Sequence, residues 1–543
     1  MRMTNKIMQN NSLYNINRNK ILQDKLSNQM ATNKKITRPS DDPVIAIRAL
    51  RLRSTVSELT QFYKKNIPDA NSWLDVTGDA LSTVTQVITD LMSQANRAAN
   101  KDWKMEDLKI FIEQMRSLGD EFYSTGNVDY AGRYIFTGYR TDTTLTFTSE
   151  VEEDMPSYEI TEQTTLGSFD TVNYTDVGDL EGMDKNNYEG KTVTEQDVSN
   201  SDIHRLRLAY DNLSGTNQTA TENGAVDAPV NVEIVGAGMT IQTTTVSSSD
   251  DPYKQIQEAN EDGKELAIFI PETGEILFSD ASYKKISEAA EGLDNLNTEV
   301  RVTYTKDDWK EGDLRPEHYF ACTERKKDEN GDFVVKQTGT DDEGNAIYGF
   351  DGINYNAEYL DGKEDSQTIE YDVGYNQKIQ VNTRAYEVFG HGLDRDIDDL
   401  ERALNSLAEI DATKNDLEEI LNGLQEGTDE YADVLKKYEA AEKAYSYIRE
   451  NIHNMFEHAI TKMQGYLDQT NLAITNNGTR SQRLELIENR LMDQKTTFET
   501  LKSENEDADL AESVVQLTST ELTYNAALMA TGKIMQTSLM NYI

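Results

Sequence analysis

The chain of 543 residues contains one cysteine, Cys322, and only five histidines, which leaves few ligands for metal or redox chemistry. A lone thiol forms no intramolecular disulfide and has no second cysteine beside it with which to hold zinc. His453 and His458 stand five residues apart on a predicted helix, about 140° apart around its axis, so they do not share a face as a metal-binding pair does. We therefore predict no bound metal.

The sequence also lacks the usual signatures of catalysis and of membrane insertion. It has no Walker A loop and no G-x-S-x-G motif, and the acidic clusters at 328–332 and 341–345 lack the closing glutamate of a calcium loop. No apolar run approaches the roughly 18–20 residues of a membrane-spanning helix. The N-terminal stretch has neither the apolar core nor the cleavage site of a secretory signal. We expect no catalytic residues, no cofactor and no membrane partner.

Positive charge is scarce outside the N-terminal region. The net charge of −44 argues against nucleic acid and anionic lipid as partners, because both repel an acidic chain. Residues 1–65 hold 13 Lys and Arg against 4 Asp and Glu, a net of +9, so the other 478 residues carry −53. A basic arm on an acidic body would attract neighbouring subunits, and a solvated helix face with no binding role explains the same pattern equally well.

Apolar residues at helical spacing fill about the first 125 residues. Asp42 and Pro43 suit the N-cap and first turn of a helix, since the aspartate caps free N–H groups and the proline has none to lose there. Pro68 is expected to kink or divide the helix that follows, and Gly126 to end the helical region. The first apolar stripe consists of Ile7, Tyr14, Ile21, Leu22, Leu26 and Met30, and the second of Ile45, Ala49, Leu52, Val56, Leu59 and Tyr63.

Helical spacing returns near Leu393 and is expected to break at Gly478. An acidic stretch at residues 504–509 then precedes a final helix, whose seam positions are spaced alternately four and three apart as in a coiled coil. These positions are Leu510, Val514, Leu517, Glu521, Tyr524, Leu528, Thr531 and Met535.

Residues 141–385 differ in pattern and predict mostly β structure. Val300, Val302 and Tyr304 alternate as in a strand, residues 271–274 separate two apolar runs as a hairpin turn does, and residues 180–230 resemble a loop. We predict an α+β fold, in which long N- and C-terminal helices form an elongated bundle and a large mostly-β domain is inserted between them. The predicted segments are an assembly and export helix at 1–40, helical rod segments at 41–140 and 386–503, the outer domain at 141–385 and an assembly helix at 504–543.

Three groups of residues, in this order along the chain, resemble the bacterial flagellin family. The run from Pro39 to Pro43 is similar to the version found in hook-associated members, since flagellin proper usually lacks the two prolines. The segment from Gly132 to Gly138 resembles the strand that follows the N-terminal helices in this family, and residues 478–485 and 507–512 resemble its C-terminal signature. The matching motif residues are Pro39, Ser40, Asp41, Asp42, Pro43, Gly132, Arg133, Tyr134, Phe136, Gly138, Arg480, Arg483, Asp509 and Glu512.

This resemblance implies a structural component of the bacterial flagellum at the junction of hook and filament, needed for filament assembly and motility. The implied partners are other copies of the chain in a ring, the proximal hook-junction protein, flagellin, and a cytoplasmic export chaperone at the C-terminal helix. Export unfolded through the flagellar secretion apparatus would place the protein outside the cell. The expected subunit contacts lie on the terminal helices, at Ile7, Tyr14, Ile21, Leu22, Leu26, Val514, Leu517, Tyr524, Leu528, Met535 and Leu539.

Two other functions fit parts of the same sequence. A flagellin-like filament subunit with a large variable domain is the main alternative, and the two prolines of the first motif argue against it. A hydrolase carried by the inserted domain is the second alternative, for which no H-E-x-x-H motif is present. A membrane-associated coiled-coil receptor lacks a spanning segment.

Overall fold

The fold is α+β, as the sequence predicts. The computed structural model describes residues 5–100, 103–148, 156–222, 224–290, 299–328, 332–340, 346–363 and 367–536. The helices are α1 (Asn5–Thr32), α2 (Pro43–Gln61), α3 (Ile67–Ala98), α4 (Met105–Thr125), α5 (Pro252–Glu261), α6 (Asp280–Ala290), α7 (Gly392–Gly423), α8 (Asp429–Glu506) and α9 (Leu510–Gln536). The chain divides into two compact units. The first comprises Met1–Asn71, Glu370–Ile379 and Arg480–Ile543, and the second comprises Ser72–Ile369 and Gln380–Thr479.

In the first unit, the start of α2 follows the predicted capping chemistry. The Asp42 carboxylate accepts hydrogen bonds from the backbone N–H groups of Val44 and Ile45 at 3.0 and 3.1 Å, and Pro43 occupies the first helical position. The side chains of α2 that become buried are those of Ala46, Ala49, Val56 and Leu59. The expected start of this helix is therefore confirmed.

A π-helical segment, Phe62–Asn66, separates α2 from α3 just before Pro68. Its wider turn is closed by the N–H of Ile67, which bonds to the carbonyl oxygen of Phe62 five residues earlier. Pro68 has no N–H with which to continue the α-helical pattern, so a local change of helix type relieves the mismatch. The prediction that Pro68 divides the helix is confirmed.

The second unit contains two antiparallel-rich sheets. One has the strand order β17-β14-β3-β13-β8-β9 and the other β10-β11-β12-β5-β4, in which the β10–β11 pair is parallel. In chain order, the strands before α5 are β1 (Asp129–Tyr130), β2 (Arg133–Tyr134), β3 (Ser157–Thr165), β4 (Phe169–Asp176), β5 (Ser199–Arg207), β6 (Asn217–Thr221), β7 (Gly224–Ala228), β8 (Asn231–Ile234), β9 (Met239–Gln242) and β10 (Thr244–Thr245). The remaining strands are β11 (Ala267–Ile270), β12 (Glu275–Phe278), β13 (Glu299–Lys306), β14 (Ala321–Arg325), β15 (Val335–Thr340), β16 (Ala346–Phe350), β17 (Gly352–Tyr355), β18 (Glu370–Gly374) and β19 (Gln377–Gln380).

The two sheets share one apolar core. On β13, Val300, Val302 and Tyr304 are buried, while Arg301 and Thr303 are partly exposed. This confirms the predicted alternation. The predicted turn between β11 and β12 is also confirmed, and it ends at Gly274 with φ +60°. A Cβ atom at Gly274 would lie 1.9 Å from the carbonyl oxygen of Tyr210, so only glycine fits there.

Three local predictions are wrong. Residues 180–230 are not a loop throughout, since they contain β5, which lies inside the five-stranded sheet, and the β6–β7 hairpin. The segment from Gly132 to Gly138, expected to be a strand, has strand structure after its first glycine only at Arg133–Tyr134. Gly478 does not break α8, because a mid-helix glycine costs only about 1 kcal/mol and the neighbouring Asn477 is buried, with its amide donating to the carbonyl oxygen of Leu74 at 2.8 Å. The dipeptide Asn330-Gly331, whose sequence is typical of a hairpin turn, lies outside the described residues.

A buried ionic network joins the five-stranded sheet to α7 and α8 within the second unit. Arg205 on β5 contacts Asp170 at 2.7 Å, Glu275 at 2.8 Å and Asp399 of α7 at 3.0 Å. Glu275 is fully buried. A second part of the network centres on Asp396 of α7, which pairs with Arg207 at 2.6 Å and with Lys462 of α8 at 2.7 Å. The mostly-β part of the unit is thus fixed to the helices by charge pairs and not by apolar packing alone.

The charges in this network depend on one another. Burial disfavours the ionised form of Glu275, but the guanidinium groups of Arg205 and Arg402 outweigh it and lower the pKa of that carboxyl group. The pKa of Asp399 is lowered in the same way, against its burial, by Arg205 and Arg207. Removing one cation leaves buried carboxylates without their full compensation, which is far more damaging than losing a surface pair.

We predict that Arg205→Met lowers the free energy of unfolding of the second unit by about 3 kcal/mol, because it leaves buried carboxylates under-compensated. Urea unfolding of the full chain, followed by tryptophan fluorescence, measures the change. The matched control is Lys285→Met, which removes the exposed pair with Glu265 and should change stability by less than about 1 kcal/mol. Equal effects of the two substitutions would show that the network is not a determinant of stability.

Candidate assembly interface

In the first unit, α1 and α9 lie side by side and run in opposite directions. The end of α1 adjoins the start of α9, and further along the pair the amide of Gln23 donates to the carboxylate of Glu521 at 3.3 Å. The two terminal helices thus share a long interface inside one chain.

A polar contact, here named the clasp, fixes the point where the chain leaves α1 and where it enters α9. The backbone of residues 33–35 pairs with residues 506–508, with the N–H of Lys35 bonded to the carbonyl oxygen of Glu506 at 2.7 Å. Arg53 binds both carboxylate oxygens of Glu506, at 2.6 and 2.7 Å. Lys34 pairs with Asp507 at 2.5 Å and with Glu506 at 3.4 Å. The clasp consists of Lys34, Arg53, Glu506 and Asp507.

The clasp is closed at neutral pH. Hydrogen bonding from Arg53 lowers the pKa of Glu506 from its usual 4.5, and hydrogen bonding from Lys34 lowers the pKa of Asp507 from its usual 3.8. A carboxyl group whose pKa is lowered by folding adds stability above its unfolded pKa, and that stability is lost as the pH falls through the folded pKa. Protonation of Glu506 and Asp507 in acid therefore weakens the clasp.

The seam between α1 and α9 is unusually polar for a helix pair. On α1 its buried apolar residues are Ile16 and Leu26. On α9 the buried positions are Ser513, Thr520 and Thr531, so small polar side chains occupy the places where a coiled coil has leucine or isoleucine. The two threonine hydroxyl groups donate to backbone oxygens of their own helix at 2.7 Å and leave only methyl groups for packing. Such a seam buries little apolar surface.

Many large apolar side chains of the terminal helices instead face solvent. This exposed set is Ile7, Leu13, Tyr14, Ile21 and Leu22 on α1, and Leu510, Val514, Val515, Leu522, Leu528 and Met529 on α9. Eleven large apolar side chains exposed on two neighbouring helices are typical of a protein interaction site. The helix pair is therefore arranged with a polar seam inside and apolar faces outside.

The predicted contact residues fall into three groups. Leu26 is buried in the intrachain pair, and Leu517 and Tyr524 are half-buried there. The exposed members are Ile7, Tyr14, Ile21, Leu22, Val514 and Leu528. The side chain of Met535 and the whole of Leu539 lie outside the described residues.

The motif at 39–43 is a helix-entry element. Pro39, Ser40 and Asp41 form an exposed turn, in which the Asp41 carboxylate accepts from the N–H groups of Thr37 and Arg38 at 3.3 and 2.9 Å. Asp42 and Pro43 then start α2. These residues build the connection between α1 and α2 and form no ligand site among themselves.

The motif at 132–138 belongs to the second unit and packs against its helices. Gly132 has φ +77° in the β1–β2 turn, and the guanidinium group of Arg133 lies 5.0 Å from the ring centre of Trp73. Tyr134 is half-buried on β2, and Phe136 is buried with its ring 5.0 Å from that of Phe389. At Gly138, with φ +61°, a Cβ atom would lie 2.3 Å from the Gln367 side chain.

The C-terminal motif residues lie on α8 and at the start of α9. Arg480 is half-buried and Arg483 exposed on α8. The Asp509 carboxylate accepts from the N–H of Glu512 at 3.1 Å and so caps α9, while Glu512 lies in the first turn, where a negative charge favours the helix. Of the C-terminal motif residues, Asp509 and Glu512 thus build a helix start, while Arg480 and Arg483 lie inside a helix.

The clasp was missed by sequence reasoning, although one signal for it was present. The basic character of residues 1–65 and the acidic stretch at 504–509 are its two halves, and two of the basic residues, Lys34 and Arg53, are satisfied inside the chain. No local pattern shows which of the many acidic residues a given cation contacts.

Little in the described residues suggests catalysis. The part of the chain that the structure describes has no group of three or more His, Cys, Asp or Glu side chains placed to hold a metal ion, and no described helix is long and apolar enough to cross a membrane. A cleft of about 730 Å³ is lined by Trp103, Tyr445, Arg449, His453 and Phe456 among others. Cys322 is buried on β14, and burial raises the pKa of its thiol, which keeps it unreactive.

The chain is similar to known flagellar proteins. Residues 3–141 match the family described as the bacterial flagellin N-terminal helical region. The resemblance to the flagellin family is confirmed. Flagellar hook-associated protein 3 of Salmonella typhimurium is 25% identical over 228 residues, which cover 42% of this chain and 70% of that protein.

A second protein and a solved structure are also similar to this chain. Flagellar hook-associated protein 3 of Escherichia coli is 28% identical over 144 residues, which cover 26% of this chain and 45% of that protein, less than half its length. The crystal structure of FlgL from Xanthomonas campestris aligns with 83% of this chain and 99% of that chain at 11% identity, with a TM-score of 0.31.

We predict that Leu528→Asp prevents association between copies while leaving the monomer intact. Leu528 is 44% exposed, so the free energy of unfolding should change by no more than about 0.5 kcal/mol, whereas a carboxylate buried in an interface costs several kcal/mol. Sedimentation of concentrated protein measures association, and circular dichroism measures monomer stability.

Leu26→Asp is the contrasting variant, because Leu26 is only 3% exposed in the seam and its substitution should separate α1 from α9 in the monomer itself. Substitution of Leu517 would distinguish association from monomer stability less well, because Leu517 is half-buried in the same helix pair. If Leu528→Asp destabilised the monomer as much as Leu26→Asp does, Leu528 would belong to the intrachain core.

Proposed function

We propose that this chain is a structural subunit of the bacterial flagellum that connects the hook to the flagellin filament. The observation that carries the proposal is the arrangement of the terminal helices, whose apolar side chains face outward from a polar intrachain seam. A surface of this kind is suited to contacts with other subunits. The flagellin N-terminal region at 3–141 and the relatives named flagellar hook-associated protein 3 support the flagellar setting.

The proposal includes the partners expected from the resemblance. They are other copies of the chain in a ring, the proximal hook-junction protein on one side, flagellin on the other, and a cytoplasmic chaperone that covers the C-terminal helix before export. The exposed residues of α9, among them Val514 and Leu528, are the surface such a chaperone would shield. The subunit would act outside the cell, at the hook–filament junction, without enzymatic activity.

We further propose that the five predicted segments have separate tasks. Segments 1–40 and 504–543 would make the contacts between subunits, segments 41–140 and 386–503 would form the rod, and segment 141–385 would face outward. The ionic network around Arg205 and Asp396 supports a fixed connection between the outer segment and the rod helices. The acidity of the chain outside residues 1–65 suits a solvent-facing position.

We predict that deleting the gene leaves hooks without filaments and releases flagellin into the medium, because flagellin would have no surface on which to begin assembly. Electron microscopy of the cells and immunoblotting of the medium measure the two effects, and a strain with the gene restored is the control. If filaments were absent and no flagellin were released, the chain itself would be the filament subunit. Normal filaments would contradict both functions.

A further inference from the structure

Helix α2 has two opposite apolar faces, of which only one is used inside the chain. Ala46, Ala49, Val56 and Leu59 are buried. On the other side Val44, Ile47 and Leu50 are 66%, 56% and 63% exposed. An amphipathic helix needs one apolar face to pack onto its own core. The second face is therefore not explained by the fold of the chain.

Two arginines lie on this same second face. At about 100° per residue, Leu50, Ile47, Arg51, Val44 and Arg48 follow one another around an arc of about 160°, centred opposite the buried side. We name this surface, formed by Val44, Ile47, Arg48, Leu50 and Arg51, the α2 outer face. It combines three apolar side chains with two cations.

The cations of the α2 outer face are free for a partner. Within the part of the chain that the structure describes, the exposed side chains of Arg48 and Arg51 make no ion pair or hydrogen bond, whereas the nearby Arg53 is bound to Glu506 of the clasp. An apolar surface that carries unpaired guanidinium groups fits an apolar surface bordered by carboxylates, because arginine binds carboxylates in a planar, two-point geometry.

A second copy of this chain offers such a surface. Outside residues 1–65 the chain carries −53. At the start of α9, Leu510 and Val514 are exposed beside the exposed acidic residues Asp509 and Glu512. A contact between α2 of one copy and a different face of the next is heterologous, so it extends into a ring or a helix and does not close as a pair.

We propose that the α2 outer face docks onto a neighbouring copy of this chain, as a contact additional to those of the terminal helices. This inference rests on the proposed function, since it needs copies of the chain to assemble. It assigns an assembly role to a surface that the sequence stripe of α2, Ile45 to Tyr63, does not include.

The test is site-specific photo-crosslinking in flagella isolated from cells that produce the full chain with a photoreactive residue at position 47. Illumination should give a species of twice the chain mass, whose cross-linked peptides both come from this chain. The matched control is position 472, since Leu472 is 62% exposed on α8, and it should give little or no such species. An adduct of position 47 with a different protein, no adduct, or an equal yield at position 472 would overturn the inference.

A cross-linker at position 528 separates this inference from the proposed function. If position 528 joins two copies and position 47 does not, the terminal helices assemble without the α2 outer face and the inference alone fails. If neither position joins copies, the proposed assembly fails as well.

Charge reversal tests the role of the arginines. R48E/R51E should lower the yield of cross-linked dimer from position 47 about tenfold, because like charges across an interface oppose binding. Both residues are exposed, so the monomer should keep its thermal stability, which calorimetry checks. An unchanged yield in a folded variant would show that the face does not meet a carboxylate-bearing copy.

Discussion

The position of Glu506 between Arg53 and Lys34 is the interaction on which the arrangement of the terminal helices depends. Two segments more than 450 residues apart in sequence meet there, through a two-point guanidinium–carboxylate contact and a short antiparallel backbone pairing. The contact fixes the end of α1 beside the start of α9. From there the two helices lie side by side, and Gln23 contacts Glu521 further along the pair.

The polar seam gives this helix pair an unusual balance. Serine and threonine at Ser513, Thr520 and Thr531 allow α1 and α9 to approach closely but bury little apolar area, so the pair gains little of the free energy that stabilises an ordinary coiled coil. The apolar side chains that would supply it face outward. Under the proposed function, a subunit built in this way is poorly stabilised alone and gains stability from contacts with its copies.

Features of the fold that depend on local chemistry could be predicted from sequence, and those that depend on distant partners could not. The cap at Asp42, the divided helix before Pro68 and the alternation of Val300, Val302 and Tyr304 arise from neighbouring residues. The continuity of α8 through Gly478 depends on packing of its flanks. Arg205 and Arg207 are accommodated in β5 because they pair with distant carboxylates. The sequence predicts the stripe of Ile7, Tyr14 and Ile21, but no local pattern shows that these side chains are exposed beside α9.

Hydrogen exchange of the backbone amides of α1 and α9, compared between a verified monomer and the assembled state, tests the central claim most directly. A helix pair with a polar seam should open readily, so these amides should exchange fast in the monomer, while those of the buried core around Val302 and Tyr304 remain protected. On assembly, α1 and α9 should become strongly protected. Equal, strong protection of the two helices in monomer and assembly would show that the intrachain pair is complete by itself, and would contradict the account.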